Sequence, residues 1–272
     1  MPFERFAVIS DIHGNSDALA AVLADIDALQ IQTIINLGDH LSGPLAARET
    51  ADMLMAREMI CIRGNHDRWL VEKSVADMGP SDRVTRKQLD DRHIEWLRAM
   101  PATRALADGR IFICHGTPLS DTTYWMEKVT ANGEVVLRTR GEIEAEAEDI
   151  AASLIFCGHT HTPRIVRLGD GRLLVNPGSV GCPGYDDDQP VSHIVQTGNP
   201  NASYAVVEQS GMGWQVALRS IPYDAARMTR MAEKIVVPIG RVSLEAAGFS
   251  EHEKERLMSR SFSFWGRAYG AS

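Results

Sequence analysis

The chain contains no apolar stretch approaching the roughly 20 residues of a membrane-spanning helix, so no membrane partner is expected. Cysteine is scarce: Cys61, Cys114, Cys157 and Cys182 are the full set, and no two of them form a CxxC pair. A disulfide framework and a zinc knuckle are thereby disfavoured. Three of the four close apolar runs, where buried free thiols are expected. Positive charge is also short, with 28 Lys and Arg against 36 Asp and Glu and a formal net charge of −8. That balance argues against extended nucleic-acid binding. It still admits a small phosphorylated ligand, because bound cations can reverse the local sign. The opening residues, Met1-Pro2-Phe3-Glu4-Arg5, have no signal-peptide profile, and a cytoplasmic location is the expectation. No repeat, low-complexity tract or linker divides the sequence, which predicts one domain over residues 1–272 with a helical C-terminal segment from about residue 224.

What is present is a series of short apolar runs, each ending in a polar cluster. Phe6-Ala7-Val8-Ile9 leads into Ser10-Asp11-Ile12-His13-Gly14-Asn15. Ala18, Leu19, Val22, Leu23, Ile26 and Leu29 then recur at helical spacing and predict a helix of about 14 residues. Thr33–Leu37 reads as a strand closing on Gly38-Asp39-His40, residues 46–56 as a helix, and residues 58–62 as a strand closing on Arg63-Gly64-Asn65-His66-Asp67. Strand–helix–strand–helix–strand order predicts parallel pairing with crossover helices.

Residues 68–100 read as mostly helical, up to Pro101. Two hairpins are expected, one around Asp108-Gly109 and one around Gly169-Asp170-Gly171. The first delivers His115-Gly116, and Leu154–Cys157 delivers Gly158-His159-Thr160-His161. Tyr204–Glu208 and Trp214–Arg219 read as an antiparallel pair, and residues 224–236 and 250–260 as helical. Residues 119–138 have no readable pattern; Tyr124-Trp125-Met126 are taken as packing, and Asp186-Asp187-Asp188 as part of an exposed polar loop. Strands before residue 65 read as parallel and those after 100 as hairpins, which two mixed sheets packed together with helices outside would satisfy.

Five polar clusters at strand ends carry the chemistry: Asp11-x-His13, Gly38-Asp39, Gly64-Asn65-His66-Asp67, His115-Gly116 and Gly158-His159-x-His161. Alternate residues of an extended segment point the same way, so Asp11 and His13 can reach one site together. His159 and His161 can do likewise, or bend around Thr160 to serve two adjacent sites. Mixed imidazole, carboxylate and amide donors suit Mn, Fe, Zn, Ni or Co rather than Ca or Mg. Two carboxylates, one amide and four imidazoles, with His66 to spare, make seven ligands, too many for one tetrahedral ion but suited to two divalent ions that share a carboxylate.

In these five clusters, taken in order across residues 11–161, the chain resembles the calcineurin-like metallophosphoesterase superfamily, whose motifs run DxH, GD, GNH[DE], H and GHxH. The resemblance implies a four-layer αββα sandwich of two mixed β-sheets flanked by helices, with a dinuclear metal site at one edge. It implies Asp11, His13, Asp39 and His161 on one ion and Asp39, Asn65, His115 and His159 on the other, Asp39 bridging. His66 would act on the substrate, and Arg63 would contact phosphate. Manganese is the favoured metal. Protein phosphatases of this superfamily carry a second Asp where this chain has Ser42, and the Ser42-Gly43-Pro44 version is similar to small bacterial phosphodiesterases and phosphatases. That leaves Asp67 as the candidate carboxylate partner of His66. His40 is read as a residue behind the ligands or at the surface.

The expected activity is hydrolysis of a phosphodiester or small phosphomonoester by direct attack of a metal-bridging hydroxide, with His66 protonating the leaving oxygen. Two divalent ions against Asp11 and Asp39 leave about +2 for an anionic substrate, which Asn65, being neutral, preserves. A small phosphorylated molecule, nucleotides included, is the expected partner. Hydrolysis of dinucleoside polyphosphates is the alternative. A protein phosphatase and a non-catalytic metal-binding scaffold are disfavoured.

Overall fold

Strand β1 (Arg5–Ile9) sets the architecture, because both of its faces are apolar. Phe6 and Val8 enter one core, and Ala7 and Ile9 enter another. A strand covered on both sides needs a second sheet or a helix layer on each face. The computed structural model, which describes residues 3–43, 45–232 and 234, supplies one of each.

After β1 the chain forms α1 (Ser16–Ala28), β2 (Thr33–Asn36), α2 (Ala47–Met55) and β3 (Ile60–Cys61). Asn15 starts α1 by accepting a hydrogen bond from the Ala18 N–H at 3.0 Å, a side-chain N-cap. Three helices follow, α3 (Asn65–Glu72), α4 (Pro80–Gln88) and α5 (Asp91–Arg98). The single helical region expected over 68–100 is therefore three pieces, and the first begins at Asn65 rather than Arg68. Then come β4 (Arg104–Leu106), β5 (Ile111–Ile113), β6 (Glu127–Val129), β7 (Val135–Leu137), α6 (Arg140–Ala145), β8 (Leu154–Phe156), β9 (Arg164–Arg167) and β10 (Leu173–Asn176). The last strands are β11 (Gly184–Asp187), β12 (His193–Gln196), β13 (Ala202–Ser210) and β14 (Gly213–Ile221). Residues 226–232 are helical; the helix expected at 250–260 lies outside the described residues.

One five-stranded sheet has the order β14-β13-β1-β2-β3 and the other β4-β5-β8-β10-β9. In the first, β1–β2 and β2–β3 are parallel and β13 is antiparallel to β1. In the second, β4–β5 and β9–β10 are the expected antiparallel hairpins, but β5–β8 and β8–β10 are parallel. The strands after residue 100 are thus not all hairpin-paired. Parallel pairing delivers His115 and Gly158 to the same end of the second sheet.

Four layers result. Phe6, Val8, Ile35 and Leu37 from the first sheet meet Ile113, Phe156 and Val175 from the second in the inter-sheet core. Ile9 and Ile34 pack outward against Leu19, Val22 and Ile26 of α1. Ile155 and Leu174 pack outward against Ile143, Ala147 and Trp125. Each buried Val, Leu, Ile or Phe among them contributes about 1.5–3 kcal/mol relative to exposure. This is the αββα sandwich of two mixed sheets expected from the sequence. Two small hairpins, β6–β7 and β11–β12, sit outside it and were not anticipated. All four cysteines are free, and Cys61 is the only one not fully buried. Among the described residues no helix is long and apolar enough to cross a membrane.

Candidate metal centre

The residues of the five clusters leave their strands before they reach the site. Asp11, His13, Asp39, His159 and His161 all have left-handed backbone, with φ of 55°, 51°, 54°, 67° and 55°. For residues with a Cβ each such conformation costs roughly 1–3 kcal/mol and persists only where neighbours hold it. Here the Asp11 N–H donates to the Gly38 carbonyl and the His13 N–H to the Asp39 carbonyl, both at 3.0 Å. Strand alternation is thus not what aims Asp11 and His13; a turn of left-handed residues does.

The turns bring two groups together. Asp11, His13 and His161 place one ligand atom each within 4.8 Å of one another, and so do Asp39, His115 and His159. His159 and His161 therefore bend around Thr160 to different groups. Asp39 Oδ2 lies 3.8 Å from His13 Nε2 and 3.3 Å from His115 Nε2, between the two groups. Asn65 joins the second, its Oδ1 lying 3.1 Å from His115 Nε2. Gly64 permits this approach, since a Cβ there would lie 2.2 Å from Asp39 Oδ1.

Residues 65–67 form the first turn of α3, and its three side chains part ways. The His66 N–H donates to Asp39 Oδ1 at 3.0 Å, while the His66 ring extends toward α4. Its Nδ1 lies 2.8 Å from Asp82 Oδ1, and Ser42 Oγ donates to that same oxygen at 2.5 Å. The expectation that Asp67 partners His66 is corrected. Asp67 turns back on its own helix end and accepts from the N–H groups of Gly64, Asp39 and His40 at 2.9, 2.8 and 3.1 Å. It also holds His40 Nδ1 at 2.8 Å. With Asp67 beside it, the His40 imidazole overcomes the pull of burial and is pushed up to about 10. His40 is fully buried behind Asp39, an ionic brace rather than a ligand.

The calcineurin-like phosphoesterase superfamily domain matches residues 5–203. The chain belongs to this superfamily. An uncharacterized protein of Methanocaldococcus jannaschii is 24% identical over 257 residues, covering 85% of this chain and 91% of its own length. A metallophosphoesterase from Sphaerobacter thermophilus shares the fold with a TM-score of 0.63 and 24% identity, covering 94% of this chain and 98% of that one. A hypothetical protein from Pyrococcus horikoshii does so with a TM-score of 0.61 and 19% identity, covering 93% and 97%. Family membership places the chain among the phosphoesterase hydrolases, which use divalent metal ions.

The donors of this superfamily member fit such ions. His13, His115 and His161 each turn Nδ1 to a backbone carbonyl, those of Ser42, Leu37 and Cys182, at 2.7, 2.8 and 2.5 Å. A carbonyl only accepts, so each Nδ1 carries the proton and each Nε2 can present a lone pair inward, the usual outer-sphere device of metal sites. Two of these inward atoms, on His13 and His161, lie 3.1 Å apart. Two lone pairs repel at that distance unless a cation or a proton lies between them. Asp11 Oδ1 is buried with no hydrogen-bond partner.

The side chains' own field divides the imidazoles. Burial pushes His13 and His159 down to about 4. Burial also opposes charge on His115 and His161, but Asp39 holds His115 up to about 9 and Asp11 holds His161 well above the usual range. Burial opposes charge on Asp11 and Asp39 too, but His161 and His115 keep Asp11 at about 2, and His115 with His66 and His13 keeps Asp39 well below the carboxylate range. Metals and protons therefore compete for His115 and His161 at neutral pH. Adding Mn²⁺ to metal-stripped protein in weak buffer at pH 7 is expected to release about two protons per chain. A raised imidazole keeps its proton below its own pKa, so affinity should climb as pH rises toward 9. Binding at pH 7 without proton release would contradict this picture.

Two arginines lie at α3, just before it and within it, and Arg68 feels the charge of Asp39. Arg63 lies 3.8 Å from Glu72, and its buried Nε has no partner. Arg68 forms a two-point pair with Asp121 at 2.7 and 2.8 Å. Sequence reasoning missed Arg68, Asp121 and Asp82. Gly79-Pro80, a helix-start signal, could have announced the turn that holds Asp82.

Proposed function

We propose that this superfamily member hydrolyses a phosphodiester or a small phosphomonoester at a dinuclear centre formed by Asp11, His13, Asp39, Asn65, His115, His159 and His161. The observation that carries the reading is the position of Asp39: Oδ2 stands between the two ligand groups, while Oδ1 takes the backbone N–H of His66. Two divalent ions, manganese favoured, would supply Lewis acidity toward phosphoryl oxygens and a water that ionises near neutral pH.

The chain's own groups do the rest. Asp11 and Asp39 bring two negative charges and Asn65 brings none, so the centre keeps positive charge for an anionic substrate. His66 is the proton donor to the leaving oxygen. Burial lowers its affinity for a proton, but Asp39 and the hydrogen-bonded Asp82 outweigh this and raise it above the ordinary histidine value. With Nδ1–H directed at Asp82, Nε2 remains for the substrate side. Arg63, as expected from the sequence, and Arg68 are the proposed guanidinium contacts to non-bridging oxygens, where a planar fork matches phosphate. The substrate is small, nucleotides included, and the proposed location is cytoplasmic.

A hydrolysis panel after loading with Mn, Fe, Zn, Ni or Co tests the reading. It compares bis-aryl phosphate, aryl phosphate, cyclic nucleotides, dinucleoside polyphosphates and a phosphopeptide. Metal-dependent turnover of an aryl ester is expected; no turnover of any ester with any of the five ions would sink the proposal. Preference for dinucleoside polyphosphates would move the substrate to the nucleotide alternative.

A further inference from the structure

Three of the four ligand histidines are locked from behind by a backbone carbonyl; His159 is not. Among the described residues no group hydrogen-bonds its ring, and it is more exposed than the other three. What touches the His159 ring is aromatic. Tyr124 packs edge-on against it with ring centroids 5.1 Å apart, and His115 lies at 5.3 Å on a tilt.

Tyr124 is itself held by a directed chain. His193 Nδ1 donates to the Val191 carbonyl at 2.8 Å, so its Nε2 must accept, and the Tyr124 hydroxyl donates to it at 3.0 Å. The Tyr185 hydroxyl then donates to the Tyr124 oxygen at 2.6 Å and lies 3.3 Å from the His159 carbonyl. His193 is buried on β12 and Tyr185 lies on β11, so the small hairpin outside the sandwich fixes the ring that fixes His159.

We propose that Tyr124 is the positioning residue for the Asp39–His115–His159 ligand group, and that this group holds its divalent ion more weakly than the Asp11–His13–His161 group does. The inference rests on the dinuclear reading of the site. Outer-sphere partners of metal-bound histidines are typically worth about 10–100-fold in affinity, and His159 has a ring contact in place of the hydrogen bond the others possess. The packing of Tyr124 restricts the imidazole in direction without fixing its proton. Tyr185 packs on His161 at 4.6 Å, so its removal would disturb both groups; Tyr124 is the selective probe.

The experiment is Mn²⁺ binding to the full chain, followed by the electron paramagnetic resonance of free Mn²⁺ alongside a thermal melt. Wild-type protein is expected to show two classes separated by about 10–100-fold. His159→Ala should remove the weak class and His13→Ala the tight one. Tyr124→Ala should weaken the weak class about tenfold or more and leave the tight class unchanged. Tyr124→Phe keeps the ring and cuts the hydroxyl links, so it should weaken the same class by less. Two equal classes in wild type, or unchanged binding in both Tyr124 variants, would overturn the proposal. If Tyr124→Ala melts early, Tyr124→Phe decides: selective weakening supports the assignment, and equal weakening of both classes or no change refutes it. Selective binding without any ester hydrolysis would refute the functional reading and leave this one standing.

Discussion

Asp39→Asn is expected to hold fewer than two Mn²⁺ per chain and to lose hydrolysis by far more than the 10–100-fold that outer-sphere changes typically cost. The substitution keeps shape and removes one charge. Asp39 Oδ2 is the oxygen within 3.8 Å of His13 and 3.3 Å of His115, the two sides of the centre. Two divalent ions in such centres stand roughly 3.5–4 Å apart, and an anionic bridge offsets their repulsion. A neutral amide does not. The fold should survive, because the asparagine oxygen can still accept from the His66 N–H, a bond of 3.0 Å in this chain. Metal content by elemental analysis and circular dichroism together separate loss of the bridge from loss of the fold. Retention of two tightly held ions by Asp39→Asn would show that another group bridges.

The second large effect is at His66 and Asp82. His66→Ala should lower turnover by about 10²–10⁴-fold for esters with poor leaving groups and much less for activated aryl esters, with metal content unchanged. Asp82→Asn should reproduce that pattern in weaker form. Asp82 is buried, and one of its oxygens serves both His66 Nδ1 and Ser42 Oγ. Losing its charge lowers the affinity of His66 for its proton. A proton donor must be protonated to act, so the alkaline limit of activity should shift to lower pH in Asp82→Asn. Asp67→Asn should shift that limit less, because Asp67 acts on His66 only through its charge and not through a hydrogen bond. It would instead leave a single oxygen to serve the Gly64, Asp39 and His40 amides and the His40 ring, remove the charge paired with buried His40, and destabilise the protein by the roughly 3–5 kcal/mol typical of breaking a buried ion pair. If Asp67→Asn and not Asp82→Asn moved the pH profile, the assignment of the His66 partner would be wrong.

The sandwich was legible because strands such as β1 and β8 are apolar on both faces, and because each ran directly into a polar cluster. The seven ligand candidates were legible as residue types at strand ends. How they are aimed was not: left-handed backbone at Asp11, His13, Asp39, His159 and His161 depends on hydrogen bonds to neighbouring loops, such as that from Asp11 to Gly38. The parallel pairing of β5, β8 and β10 was hidden behind hairpin signals on either side. Asp82 was missed because it is brought to His66 and Ser42 only when α4 folds back on α3, a tertiary event that leaves no local pattern. Tyr124 lies in the irregular segment just before β6, and Tyr185 lies on β11, a strand too short for its alternation to be read.

The most direct test is anomalous diffraction from a crystal of Mn²⁺-loaded protein. Two peaks are predicted, both within bonding distance of Asp39, with Asp11, His13 and His161 on one and Asn65, His115 and His159 on the other. A single peak, or two peaks with His159 and His161 on the same ion, would contradict the dinuclear centre on which the proposed chemistry depends.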